Sequence, residues 1–341
     1  MNIDSISKFG FIKFLLDNDA QIAPLEINYD EVETLASMNP SIWITPEGKC
    51  YINVRAVNYN LFNSRYRQYN QGDQPIAYVC KAASKLKTEN YFGTLDLDTL
   101  NIEKISKVKM LELHEPNWIF TGLEDARIIN WDENIYLCGV RRDIKDNGEG
   151  RMELSKIEII DDVPTEIERT RMPAAGNDTA YLEKNWMPII DQPYTWIKWC
   201  LPLEICSYDK DEAKLNIWFP EKTFNLPFRG DSHVIHIGEY YYCFVHYVMN
   251  KQLRKETNAR VSLYNHYVLK LDENLNAVGI FGPFLYDNRC NVEFGCGMAL
   301  YNNYCYLTYA ENDAAAYIIK FHKDILVNLP YKNIITEKNG N

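Results

Sequence analysis

A membrane span, an export signal and a basic surface are all missing from this chain of 341 residues. No segment approaches the ~20 apolar residues of a spanning helix, and the most apolar piece near the start, residues 9–16, is interrupted by Lys13. The opening MNIDSISKFGFIKFLLDNDAQ lacks the basic start, apolar run and small-residue cleavage site of a secretory signal. Acidic residues outnumber basic ones, 47 Asp+Glu against 36 Lys+Arg, for a net charge of −11. Arg65 with Arg67, and Arg141 with Arg142, stand isolated. Nucleic-acid affinity depends on Lys and Arg neutralising phosphates, so this balance excludes nucleic acid as the expected partner. The nine Cys form no CxxC pair, which argues against a structural zinc site or a disulfide framework. Cys50, Cys138, Cys243 and Cys305 lie in apolar strand-like runs, where a free thiol behaves as a small hydrophobe. A reduced, cytoplasmic protein is expected. Helical periodicity is confined to residues 6–17 and 29–37, and alternating β–α units are absent, which excludes a doubly wound fold. No P-loop, dinucleotide fingerprint, nucleophile elbow or kinase signature occurs.

Tyrosine is plentiful, with 24 copies beside 14 Phe and 7 Trp, and suits half-buried strands whose outer ends reach water or a ligand. A weak repeat organises the chain. Five times, a segment with polar residues at its start runs into a turn and then a second strand-like run, beginning at Asn39, Gly122, Lys184, Arg229 and Glu293. The turns are Pro46-Glu-Gly-Lys, Trp131-Asp-Glu-Asn, Asp191-Gln-Pro, Gly238-Glu and Asn302-Asn, residue types that close hairpins. Runs starting at Asn90, Met152 and His266 read as third strands, the outer strands of their blades. Blades of about 40–50 residues with uneven loops produce such spacing. The expected fold is all-β: a five-bladed β-propeller over residues 39–325, a short, partly helical N-terminal extension (1–38) and a C-terminal tail (326–341). A pair of β-sandwiches is the competing architecture.

Gly-Leu-Glu-Asp-Ala-Arg-Ile at 122–128 resembles the Glu-Asp-Pro-Arg signature of glycoside hydrolase family 130, five-bladed propellers that are mostly β-mannoside phosphorylases with some hydrolases. Ala126 stands where that family usually has Pro. The segments beginning at Asn53, Glu183, Phe228 and Phe294, and Thr308-Tyr-Ala-Glu-Asn-Asp-Ala, look like a broader group of related propellers, often found beside glycosyltransferase modules. Together these segments span residues 39–321. The resemblance implies a carbohydrate-active enzyme, a β-mannoside-type glycoside phosphorylase or hydrolase, with Asp125 as the proton donor. Alternatives are a sugar-nucleotide-dependent glycosyltransferase and a non-catalytic glycan-binding propeller, since one fold hosts many chemistries.

First strands of propeller blades line a central channel, so their polar residues converge. Glu124 and Asp125 are neighbours on a strand and are expected to point to opposite faces, with Asp125 and Arg127 sharing one. Inverting hydrolysis needs a second carboxylate to activate water; Asp231, Glu293 and Asp313 are the candidates, with Glu293 favoured by position. A phosphorylase replaces that base with phosphate held by cations. Arg55, Arg141, Arg142, Lys184, Arg229, His233 and His246 are candidates for such a clamp, because guanidinium matches phosphate geometry. Asn58, Glu124, Arg127 and Asn185 complete the expected binding set. Gly295 and Gly297 would admit a ligand or relieve packing at the axis. Trp43, Tyr59, Trp186 and Tyr247 are candidates for stacking on sugar rings. His233 and His236, three apart on a strand, face opposite sides, and His233 with His246 is too small a set for a metal, so no metal is expected. Asn177-Asp178 and Asn312-Asp313 read as turn formers. No cofactor is expected beyond inorganic phosphate or a sugar nucleotide as co-substrate. The expected partner is a small-molecule or oligosaccharide substrate, with homo-oligomer formation left open.

Overall fold

The structure, a computed structural model, describes residues 6, 10–27, 36–61, 78–80, 85–174, 181–224, 226–254, 259–287 and 292–333. Five antiparallel sheets form a five-bladed propeller. Blade 1 is built from Ala36–Ile44, Cys50–Val57, Leu86–Leu95 and Ile102–Lys107. Blade 2 is Leu123–Trp131, Asn134–Arg141, Arg151–Ile160 and Val163–Arg171. Blade 3 is Met187–Pro188, Thr195–Cys200, Leu203–Asp209 and Lys214–Trp218. In blade 4 the inner strand is split into Arg229–Gly230 and Ile235–Ile237, followed by Tyr240–Arg254, Ala259–Leu271 and Ala277–Phe284. Blade 5 is Glu293–Tyr301, Tyr304–Glu311 and Ala315–His322.

The ring closes with chain from the N-terminal side. Gln21–Pro24 pairs antiparallel with Ala315–His322 and becomes the fourth strand of blade 5, while Lys332–Asn333 adds to the outer edge of blade 4. A boundary at residue 38 or 39 would therefore cut the first strand, which begins at Ala36, and leave blade 5 without its outer strand. The runs starting at Asn90, Met152 and His266 belong to third strands as expected, but these are not the outer ones, because a fourth strand follows each in its blade. Residues 11–16 form a short helix that buries Phe11 and Phe14, with Phe11 stacked on Phe284 at 4.6 Å. Of the second helical expectation, residues 29–35 lie outside the described residues, and Ala36 and Ser37 are strand. Asn177-Asp178, Arg65 and Arg67 also lie outside them.

Five apolar cores fill the gaps between adjacent blades. Phe92 and Ile128 meet between blades 1 and 2, Trp131 and Trp196 between 2 and 3, and Ile205 and Leu269 between 3 and 4. Phe244 packs with Leu307 between blades 4 and 5, and Ile42 with Ile318 between 5 and 1. Each sheet is thus covered on both faces, which is why the strands read as apolar runs with little alternation. Seven cysteines are free and buried among these residues. Among the described residues, no helix is long and apolar enough to cross a membrane.

Near the axis the inner strands approach so closely that Gly297 is obligatory. A Cβ there would sit 2.7 Å from the Ile42 amide nitrogen and 2.8 Å from Ser41 Cα. Replacing Gly297 with Ala is expected to destabilise the fold by about 1–3 kcal/mol, the range for overpacking a dense interior. Thermal unfolding checks this, and an unchanged midpoint would contradict the close approach.

Candidate active site

One end of the channel is built from the starts of the inner strands. Three residues there adopt left-handed backbone: Asn39 (φ 46°) in blade 1, Asp125 (φ 52°) in blade 2 and Asn185 (φ 63°) before blade 3. Asn and Asp tolerate this region better than other side chains, and strained backbone gathers at functional sites. In blades 1 and 2 the cause is a β-bulge, seen as register shifts between Met38 and Ser41 and opposite Asp125 between Cys138 and Val140. The bulge breaks the alternation that would send Glu124 and Asp125 to opposite faces. Both reach Arg55 instead, Asp125 Oδ1 at 2.6 Å and Glu124 Oε2 at 3.5 Å.

Arg55, buried in the second strand of blade 1, is oriented by donations to Thr88 Oγ1 (3.0 and 3.2 Å) and to the Tyr59 hydroxyl. Asn39 Nδ2 donates to Asp125 Oδ1 at 2.6 Å. Asp125 is 8% exposed. Burial pushes its pKa up, but Arg55, Lys184 and the Asn39 hydrogen bond outweigh that and hold it below the usual carboxylate range. Asp313, half-buried in the turn after the second strand of blade 5, moves the other way. Burial and the negative charges of Asp125 and Glu124 raise it to about 6, against the pull of Arg55 and Lys184. The arrangement therefore joins an ionised carboxylate, a carboxyl that holds a proton up to about pH 6, and two cations. Such divergence of paired carboxyls is how acid and base roles separate in one site.

Arg127 does not pair with the Asp125 carboxylate. Fully buried, it donates to the main-chain oxygens of Asp231 (2.7 and 3.2 Å) and Asp125 (3.4 Å), tying blade 2 to blade 4. His233 spends both ring nitrogens on backbone, Nε2 donating to the Ile128 oxygen (2.8 Å) and Nδ1 accepting from the Met298 amide (3.1 Å). Burial first and Arg127 second push its pKa down to about 3, so it is a neutral pin across three blades.

Asp231, fully buried, accepts from His246 Nδ1 (2.5 Å) and His266 Nδ1 (2.8 Å). Glu293 is buried with both carboxylate oxygens on the amides of Tyr286 and Asp287 (2.8 and 2.5 Å). Arg229 is exposed and pairs across the strand with His246. Asn58 is half-buried and bonds to the backbone of Lys85 and Lys87. Arg141 closes the second strand of blade 2, paired across from Leu123, and is bound to Glu153 (2.8 Å) and 3.5 Å from Asp143. Trp186 donates to Glu183 from the core between blades 2 and 3.

The structure thus gathers Arg55, Glu124, Asp125, Lys184 and Asp313 into one electrostatic group, and places Asp231, His246 and Glu293 in a second one. Arg141 and Asn58 stand apart from both. Asn39, Thr88 and His266 were missed. Asn39 had a signal, since it occupies the position in the first repeat that Asp125 and Asn185 occupy near the starts of the next two. Among the described residues, no group of three or more His, Cys, Asp or Glu is placed to hold a metal ion.

No family model and no curated protein matches the chain. Solved structures do. A β-1,2-mannobiose phosphorylase from Listeria innocua aligns over 90% of this chain and 96% of its own, at 11% identity and a TM-score of 0.54. A structure reported with the finding that family 130 mannoside phosphorylases include hydrolases targeting β-1,2 mannosidic linkages in Candida mannan covers 89% and 87%, at 11% identity and 0.53. A glycosyl hydrolase from Bacteroides ovatus covers 85% of each chain at 10% identity and 0.51. At these identities the likeness is one of fold.

Proposed function

We propose that this chain is a glycoside-processing enzyme, a β-mannoside-type phosphorylase or hydrolase, with Asp125 as its catalytic carboxylate. The observation that carries the reading is the strained, nearly buried Asp125, oriented by Arg55 and Asn39 from blade 1 and influenced by Lys184 and Asp313 from blades 3 and 5. Similarity of fold to a mannobiose phosphorylase supports the substrate class.

To donate a proton, Asp125 must first gain one. Its lowered pKa leaves it ionised in the free protein, whereas Asp313 retains a proton up to about pH 6. The two carboxyls titrate as a coupled set. Substrate that excludes water from the channel raises the cost of the Asp125 charge, and the proton then passes from the set to the departing glycosidic oxygen. Arg55 and Lys184 bind the anionic or hydroxyl groups of the substrate, and an attacking phosphate would use the same cations. A nucleophile from the opposite side of the sugar completes an inverting displacement.

The sign of the pH dependence follows. Activity that needs the shared proton falls as pH rises through about 6. Replacing Asp313 with Asn removes that ionisation and flattens or displaces the limb. A kcat/KM profile measured from pH 4.5 to 8 on a cleaved glycoside tests this; a flat wild-type profile would sink the proton assignment.

A further inference from the structure

Blades 4 and 5 enclose a chain of titratable groups to which the proposed reaction has so far assigned no role: His246, Asp231, His266 and Glu293. His246 and His266 face each other across adjacent strands, and both direct Nδ1 to the same buried carboxylate, at 2.5 and 2.8 Å from its two oxygens. An ionised carboxylate can only accept, so both Nδ1 atoms donate. The other nitrogen of His266 is fully buried, has no hydrogen-bond partner, and lies 3.7 Å from Glu293 Oε2. Two unprotonated acceptors in such a contact repel each other, so the His266–Glu293 pair holds a proton at one of its ends. Burial, chiefly, raises Glu293 to about 7, which supports a proton held there near neutrality.

His246 is surrounded on every side by groups that define its state. Asp231 and Arg229 come from the inner strand segments of blade 4, and Tyr264 and His266 from its third strand. Phe294 comes from blade 5, with Arg127 of blade 2 packed on its ring. Burial first, then repulsion by His266 and Arg229, lowers the His246 pKa despite the pull of Asp231.

We infer that Asp231 is a positioning residue that fixes His246 with Nδ1–H toward its own carboxylate and Nε2 free as a proton acceptor beside Arg229, and that the His266–Glu293 contact is a proton store behind it. A proton taken up at His246 Nε2 forms an N–H bond as the O–H bond of a water or ligand hydroxyl breaks; the imidazolium is paired with Asp231 and the bonding pair stays on that oxygen. Its effect on rate rests on the glycoside reading; the tautomer does not.

Two-bond proton–nitrogen NMR of histidine-labelled protein tests the inference without any substrate. His246 is expected as the Nδ1–H tautomer, and Asp231→Asn is expected to replace it with a mixture. In a glycoside assay the same variant should lower kcat about 10- to 100-fold, toward the low end of acid–base effects, with little change in KM and a displaced pH profile. Glu293→Gln should keep the His246 tautomer and remove the perturbation near pH 7 that Glu293 imposes on the neighbouring His266 resonances, a readout that survives even if Asp231→Asn does not fold. An Nε2–H tautomer in the wild type, or no change in Asp231→Asn, overturns the positioning role. A perturbation of those resonances near pH 7 that persists unchanged in Glu293→Gln overturns the proton store. Failure of the kinetic arm with the NMR arm intact would count against the glycoside reading alone.

Discussion

Asp125→Asn is expected to lower kcat on a cleaved glycoside about 10²- to 10⁴-fold, the range for loss of a general acid or base. The amide keeps the size of the carboxyl and can still accept from Asn39, but it cannot deliver a proton at any pH. It also leaves the buried Arg55 with only Glu124, at 3.5 Å, and Asp313 to balance its charge. Some loss of stability must therefore accompany the loss of activity, and thermal unfolding of the variant is measured beside the kinetics. The two effects separate by comparison with Thr88→Val, which loosens Arg55 without touching either carboxylate. A Thr88→Val protein that keeps most of its turnover while Asp125→Asn loses nearly all assigns the effect to chemistry. Equal losses would move the role to the orientation of Arg55.

The largest expected effect on stability lies elsewhere, in blade 2. Glu153 is fully buried and serves as the hub for Arg141 (2.8 Å), Arg171 (2.9 Å) and, less closely, Arg169 (3.8 Å). Glu153→Gln removes the charge on which Arg141 and Arg171 depend, leaving Arg141 with Asp143 at 3.5 Å and Arg169 with Glu166. Breaking a buried pair by removing one partner costs about 3–5 kcal/mol, because the other charge stays in the interior. A fall of several degrees in the unfolding midpoint is expected, with KM for a channel substrate unchanged. An unchanged midpoint would mean that water reaches the cluster and screens it.

The fold was legible because each blade starts with a hairpin whose turn residues are of the expected kind, as at Pro46-Glu-Gly-Lys and Gly238-Glu, and because apolar runs recur five times. Ring closure was not legible. Nothing in Gln-Ile-Ala-Pro at 21–24 identifies Ala315–His322 as its partner, some 300 residues later, since pairing at that distance follows from the closed ring and leaves no local pattern. Asp125 and Lys184 were legible as polar residues near repeat starts, Asp313 as one in a turn, and Arg55 as a cation inside an apolar strand. Their mutual geometry was hidden by the bulge at Asp125, because period-two reasoning assumes an unbroken strand. Arg127 and His233 were misleading for a related reason. A buried cation or imidazole looks the same in sequence whether it meets a ligand or, as here, the backbone of another blade.

Wild-type protein followed by proton NMR in the presence of β-linked mannobioses, with and without inorganic phosphate, tests the central claim most directly. The account predicts loss of the anomeric signal of at least one disaccharide, with mannose or mannose 1-phosphate formed, and loss slowed at least about 100-fold with Asp125→Asn. Disaccharides untouched by the wild type, or consumed equally by Asp125→Asn, would contradict it.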